Sequence, residues 1–80
     1  MAGPKYTPRE REVVLLLAAG LTQREIARYW RRSPETIKTH MVKIREKAGG
    51  LTNEALIADA IRFGIILGSE VEETRNRVLS

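Results

Sequence analysis

Apolar positions recur along the chain at helical spacing and are interrupted by residues that start and stop helices. Thr7-Pro8-Arg9-Glu10 offers a hydroxyl at an N-cap, proline at the first helical position and glutamate three residues after the cap, which is a capping box. Val13, Leu16 and Leu17 then follow the i, i+3, i+4 spacing of one helical face. Gly20 supplies a left-handed residue to end the helix, and Leu21 is placed to fold back on its last turn. A first helix is expected over about residues 8–19.

Thr22-Gln23-Arg24-Glu25 is a second capping box, and the inward residues after it are Ile26, Ala27 and Trp30, so a helix is expected over about 22–31. Ser33-Pro34 is a further cap with a first-turn proline, and Glu35 sits near the positive end of the dipole. Two helices joined this closely must cross steeply, as in a helix-turn-helix. Ile37, Met41, Ile44 and Ala48 form the stripe of a third helix over 34–48, which Gly49-Gly50 stops. Thr52 or Asn53 can cap a fourth helix over about 53–63, with Leu56, Ile57, Ala60 and Ile61 as its stripe. Beyond Gly68, a weaker capping box at Ser69-Glu70-Val71-Glu72 is compatible with a short last helix carrying Val71, Val78 and Leu79. No segment alternates in the manner of a strand. The expected class is all-α: a four-helix helix-turn-helix domain over 1–66 and a C-terminal extension over 67–80, with Gly68 at the boundary.

Opposite its apolar stripe, the third helix presents Glu35, Lys38, Thr39, Val42, Arg45 and Glu46. Lys38 can donate to guanine O6 or N7, Thr39 can bond several base edges, and Val42 can meet a thymine methyl, so the mixture suits a DNA major groove. Glu35 and Glu46 must then stay clear of phosphates or accept from cytosine N4. An ordinary solvated face with one stray valine is the alternative, common enough by itself. The tight preceding turn, together with Arg24, Arg28, Arg31 and Arg32 on or just after the second helix, shifts the balance toward DNA.

Charge follows the same division. The chain has 80 residues and a formal net charge of +4. Residues 1–50 hold eleven lysines and arginines against five glutamates, a net +6, whereas residues 51–80 hold three against five acids, a net −2. The basic charge belongs to the first three helices. The absence of cysteine removes disulfides and thiolate chemistry, and a single histidine, His40, cannot build a histidine metal cluster. Composition therefore argues against an enzyme, and no metal or cofactor is expected. No apolar run reaches the roughly 20 residues that span a bilayer, and Met1–Thr7 lacks the apolar core of a signal peptide. A soluble, cytoplasmic protein is the expectation.

These residues resemble the LuxR-type helix-turn-helix family, the DNA-binding output domain of quorum-sensing regulators and many response regulators. Thr7-Pro8-Arg9-Glu10-Arg11-Glu12-Val13 is similar to its opening signature and Gly20-Leu21-Thr22-Gln23-Arg24-Glu25-Ile26-Ala27 to its second helix. Ser33-Pro34-Glu35-Thr36-Ile37-Lys38-Thr39-His40 is similar to its recognition helix, and Ala60–Ile66 to the close of its fourth.

The resemblance implies a transcriptional regulator that binds double-stranded DNA as a homodimer, with the third helix in the major groove and the fourth supplying the dimer contact. Base contacts would fall on Lys38, Thr39 and Val42. Phosphate contacts would fall on Thr22, Gln23, Arg24, Thr36, Lys43 and Arg45, and the dimer interface on Leu56 and Ala60 with neighbouring exposed positions. Glu10 would hold helices together rather than touch DNA. The chain departs from the family at Arg31-Arg32, where a glycine and an apolar residue are usual, so a left-handed turn residue here costs about 1 kcal/mol more. Trp30 stands where leucine is usual, and Ala48 and Gly50 replace larger apolar residues. His40 is read as packing against a neighbour, and Trp30 as core rather than a base-stacking platform. A reading from another class is a protein-interaction module that docks on RNA polymerase or another regulator through the fourth helix and the tail, motivated by the −2 charge of residues 51–80. A sigma-factor end domain shares the tetrahelical plan, but the Thr7-Pro8-Arg9-Glu10 opening points to the LuxR type. The chain is expected to be a stand-alone regulator or the output domain of a longer one.

Overall fold

Helix α1 (Pro8–Ala18) is the axis about which the other helices are arranged: α2 (Gln23–Trp30), α3 (Pro34–Ala48), α4 (Asn53–Arg62) and α5 (Gly68–Leu79) all pack against it. The computed structural model describes residues 4–79; residues 1–3 and 80, at the outer ends of the expected 1–66 domain and 67–80 extension and including the start of Met1–Thr7, lie outside the described residues. No strand occurs among the described residues, so the all-α class is as expected.

The caps act as their residue types dictate. Thr7 and Thr22 accept from the backbone N–H groups of Glu10 and Glu25, whose carboxylates accept in return from the Thr7 and Thr22 N–H groups at 2.9 Å each. Thr52, not Asn53, caps α4, its hydroxyl accepting from the Ala55 N–H. Ser33 occupies the N-cap of α3 but makes no capping bond, because its hydroxyl is 3.2 Å from that of Thr36. Helix ends shift by about one residue where the expected last residue is itself a cap: Ala19, Arg31 and Phe63 close α1, α2 and α4.

The turn between α2 and α3 is closed by Arg31 at φ 54°, ψ 45°. Among the described residues it is the one non-glycine with positive φ. Its left-handed conformation lets the Arg32 N–H reach the Ala27 carbonyl at 2.8 Å, which fixes the steep crossing of α2 and α3. At the end of α1, Gly20 plays the same part without a Cβ penalty, at φ 105°.

Val13, Leu16, Ile26, Ile37, Ile44, Leu56 and Ile66 form the centre of the core. Two features differ from the helical stripes expected. Every residue of Val13–Leu17 is buried, not only Val13, Leu16 and Leu17, because α5 covers the side of α1 that the other helices leave open. On α4, Leu56 and Ala60 point inward, while Ile57 is half-buried and Ile61 is 47% exposed.

The C-terminal helix is longer than the short element expected. It starts at Gly68, where the Glu70 carboxylate accepts from the Leu67 N–H at 2.9 Å, so the cap lies two residues ahead of Ser69. Glu70 also accepts from Arg11 Nη2 at 2.6 Å, and Arg11 Nε donates to the Ile65 carbonyl at 2.8 Å. At the far end Arg75 donates to the Ala19 and Ala18 carbonyls at 3.3 and 3.5 Å. Helix α1 has no basic residue in its own last turn, so α5 supplies the positive charge its C-terminus lacks. A tail that would otherwise fray is tied at both ends.

Candidate functional site

The surface of interest is built on α3, whose Ile37, Met41 and Ile44 are buried and thereby orient the opposite side outward. Lys38, Thr39 and Val42 are exposed there, Val42 at 52%. Thr39 Oγ1 donates to the Glu35 carbonyl one turn earlier at 3.0 Å, so toward solvent it presents an acceptor oxygen and a methyl group. Lys38 supplies donors only. The three side chains together offer donor, acceptor and apolar contact along about one turn of one helix. Glu35 and Glu46 are exposed beside them.

Arg24, Arg28, Arg31 and Arg32 are exposed along α2 and its turn, Lys43 is exposed on α3, and Thr36 and Gln23 are half-buried. Thr22 stays exposed although its oxygen caps α2. Arg45 is different: its guanidinium donates to Asn53 Oδ1 at 2.6 Å and to the Leu51 carbonyl at 3.5 Å. It is half-buried and braces the connection between α3 and α4. Leu56 and Ala60, expected at a dimer interface, are each only 1% exposed and belong to the protomer's own core. Their spacing marks an apolar face, but spacing alone does not say whether the covering surface is α1 or a second chain.

Glu10 holds α3 in place. It is 3% exposed, and its Oε1 accepts from Lys47 Nζ at 2.5 Å as well as from the Thr7 N–H. Burial pushes its carboxyl up, but the hydrogen bonds from Lys47 and Thr7 and the nearby ammonium charge outweigh burial and hold it below the ordinary glutamate value. Lys47 was one of several basic residues on α3 in the sequence; its partner is 37 positions away, beyond any local pattern.

Trp30 is half-buried and packs against the edge of the core. Arg9 Cζ lies 4.6 Å from its ring centroid, and the His40 ring meets it edge-on at 6.3 Å and 88°. His40 thus packs against a neighbour, as expected. Among the described residues no group of three potential metal ligands comes together, and no helix is long and apolar enough to cross a membrane.

Residues 5–60 match the family described as bacterial regulatory proteins, luxR family. The chain is similar, at 38% identity over 58 residues, to the putative HTH-type transcriptional regulator Mb0914c of Mycobacterium bovis; the match covers 72% of this chain and 7% of that protein. It is 37% identical over 61 residues to the uncharacterized response regulatory protein YgeK of Escherichia coli, covering 76% of this chain and 42% of that one. It is likewise 37% identical over 60 residues to the transcriptional regulatory protein MctR of Rhizobium johnstonii, covering 75% and 28%. The chain therefore spans less than half the length of each of these relatives and only 7% of the mycobacterial one. No solved structure gives a significant match.

Proposed function

The chain belongs to the luxR family of bacterial regulatory proteins, and from that membership we propose that it is a sequence-specific regulator of transcription that binds double-stranded DNA as a dimer, with α3 in the major groove. The observation that carries this reading is the outward set Lys38, Thr39 and Val42, presented by a helix whose other side is locked into the core. Lys38 suits guanine O6 or N7. Thr39, with its proton committed to Glu35, suits an exocyclic amine of adenine or cytosine, and Val42 a thymine methyl. In this reading Thr22, Gln23, Arg24, Thr36 and Lys43 bond phosphates and hold the register.

The dimer contact in this reading runs through Ile57 and Ile61. They lie one turn apart on α4, Ile61 at 47% exposure and Ile57 half-buried against the edge of the core.

Selection of bound duplexes from a random pool tests the reading as a whole: a recovered pseudo-palindrome is expected, and recovery of no preferred sequence overturns it. On the selected site, Lys38→Ala is expected to weaken binding by roughly 1–3 kcal/mol and to relax one base position, whereas Lys43→Ala weakens all sequences alike. Equal losses for Lys38→Ala on selected and random DNA would remove its base-reading role.

A further inference from the structure

Beside the outward face of α3, the start of α1, the α2–α3 turn and the first two turns of α3 enclose a pocket of about 300 Å³ lined by Arg9, Trp30, Arg32, Thr36 and His40. Two guanidinium groups line it and no carboxylate does. Arg32 has no ion-pair partner among the described residues. Arg9 has one, Glu12 at 3.6 Å, but the two side chains are 55% and 41% exposed, and such surface pairs are too weak to hold a guanidinium against a stronger anion. The Thr36 hydroxyl and the positive end of α3 face the same region.

We propose that this pocket is a phosphate-binding site in which Arg9 and Arg32 clamp the oxyanion and Thr36 and His40 complete its hydrogen bonds. The occupant is either a backbone phosphate of bound DNA or a free phosphate group. Three observations select this chemistry. The lining is cationic and donor-rich, and guanidinium groups match phosphate oxygens in paired hydrogen bonds. A water occupies ~30 Å³, so the space holds a phosphodiester group and part of its hydration. Finally, the Trp30 ring is already engaged, by Arg9 Cζ at 4.6 Å from its centroid and by the His40 ring at 6.3 Å and 88°, so the pocket offers hydrogen-bond donors more readily than a stacking platform. Thr36 is about 60° around α3 from Thr39, so a strand whose bases meet Lys38, Thr39 and Val42 has its backbone beside the pocket. The DNA-phosphate source rests on the function proposed above; the free-phosphate source does not.

Trp30, the sole tryptophan, reports on the site directly. Its fluorescence would be followed in the full chain during titration with inorganic phosphate, with sodium chloride at matched ionic strength, and with duplex DNA. A saturable response to phosphate but not chloride, lost in Arg32→Gln, establishes the free-phosphate source. A response to duplex alone, with the log–log salt slope of DNA binding reduced by about one in Arg9→Gln or Arg32→Gln on selected and random sequences alike, establishes the backbone source. Arg32→Leu is expected to retain or raise the thermal midpoint by covering Trp30 while still losing the response, which separates binding from folding. If phosphate responds and no duplex is bound by the wild type, the pocket stands and the DNA-binding function falls. If neither phosphate nor duplex moves the Trp30 signal, or Arg32→Gln leaves both the response and the slope unchanged, the proposal is overturned.

Discussion

Arg31 carries the α2–α3 turn in a conformation that suits glycine better. At φ 54° its Cβ crowds the neighbouring backbone, costing about 1–2 kcal/mol, but glycine would also give the unfolded chain more freedom, offsetting about 0.4–1 kcal/mol. Arg31→Gly is therefore expected to stabilise the domain by roughly 0.5–1 kcal/mol in urea denaturation. A lower midpoint would mean that the arginine side chain makes a contact worth more than its strain. Glu10 is the opposite case, a residue whose environment is favourable when charged. Its carboxyl sits below the ordinary value despite burial, through Lys47 and Thr7. Its stabilising effect is complete above the unfolded glutamate value, about pH 4.3, and is lost as pH falls through the lower folded value. Glu25 is held down by hydrogen bonds from Thr22, and Glu70 by one from Arg11, so both act in the same direction. The thermal midpoint should fall between about pH 6 and about pH 3, and Glu10→Gln should flatten that fall while lowering the midpoint at neutral pH by about 1–2 kcal/mol in stability. An unchanged pH profile in Glu10→Gln would exclude the Lys47 contact as a source of stability.

At the scale of elements, α5 changes what α1 is. Without it, the all-apolar run Val13–Leu17 would have one side open to water. With it, Thr74 is 3% exposed, Val71 and Val78 pack on the core, and Arg75 meets the carbonyls at the end of α1. Ending the chain after Leu67 is expected to cost roughly 2–4 kcal/mol, counting two partly buried valines and the lost side-chain hydrogen bonds. Guanidinium denaturation checks this, with an unshifted midpoint as the contrary result. Glu70→Ala should reproduce part of the loss, because Glu70 both starts α5 and binds Arg11. The continuous run at 13–17 was itself a sign that more than one face of α1 would be covered, but a periodic reading keeps only the positions that fit one stripe.

For the whole molecule, the charge division places the basic surface on α1–α3 and leaves α4 with an exposed isoleucine. Ile61→Arg is expected to leave the protomer folded, since Ile61 is outside the core, and to abolish cooperative binding to a duplex with two half-sites while half-site binding persists. Sedimentation of the complex, with and without the substitution, measures this. One wild-type protomer per two-site duplex would refute dimerisation. The same substitution at Leu56 would unfold the protein and test nothing about assembly.

How much was legible in advance divides along a physical line. Capping boxes, the glycine at the end of α1 and the i, i+3, i+4 stripes depend on residues within one or two turns, so α1–α4 and the helix-turn-helix were readable with ends accurate to about a residue, whereas the length of α5 was not. The outward set on α3 was readable for the same reason, since one buried stripe dictates its opposite. Long-range choices were not. Which apolar face of α4 meets α1, whether Arg45 faces solvent or Asn53, how Lys47 finds Glu10 and how Arg9, Trp30, Arg32 and His40 close around a pocket depend on how helices dock. Docking is settled by shape and burial summed over all five, which no local spacing encodes.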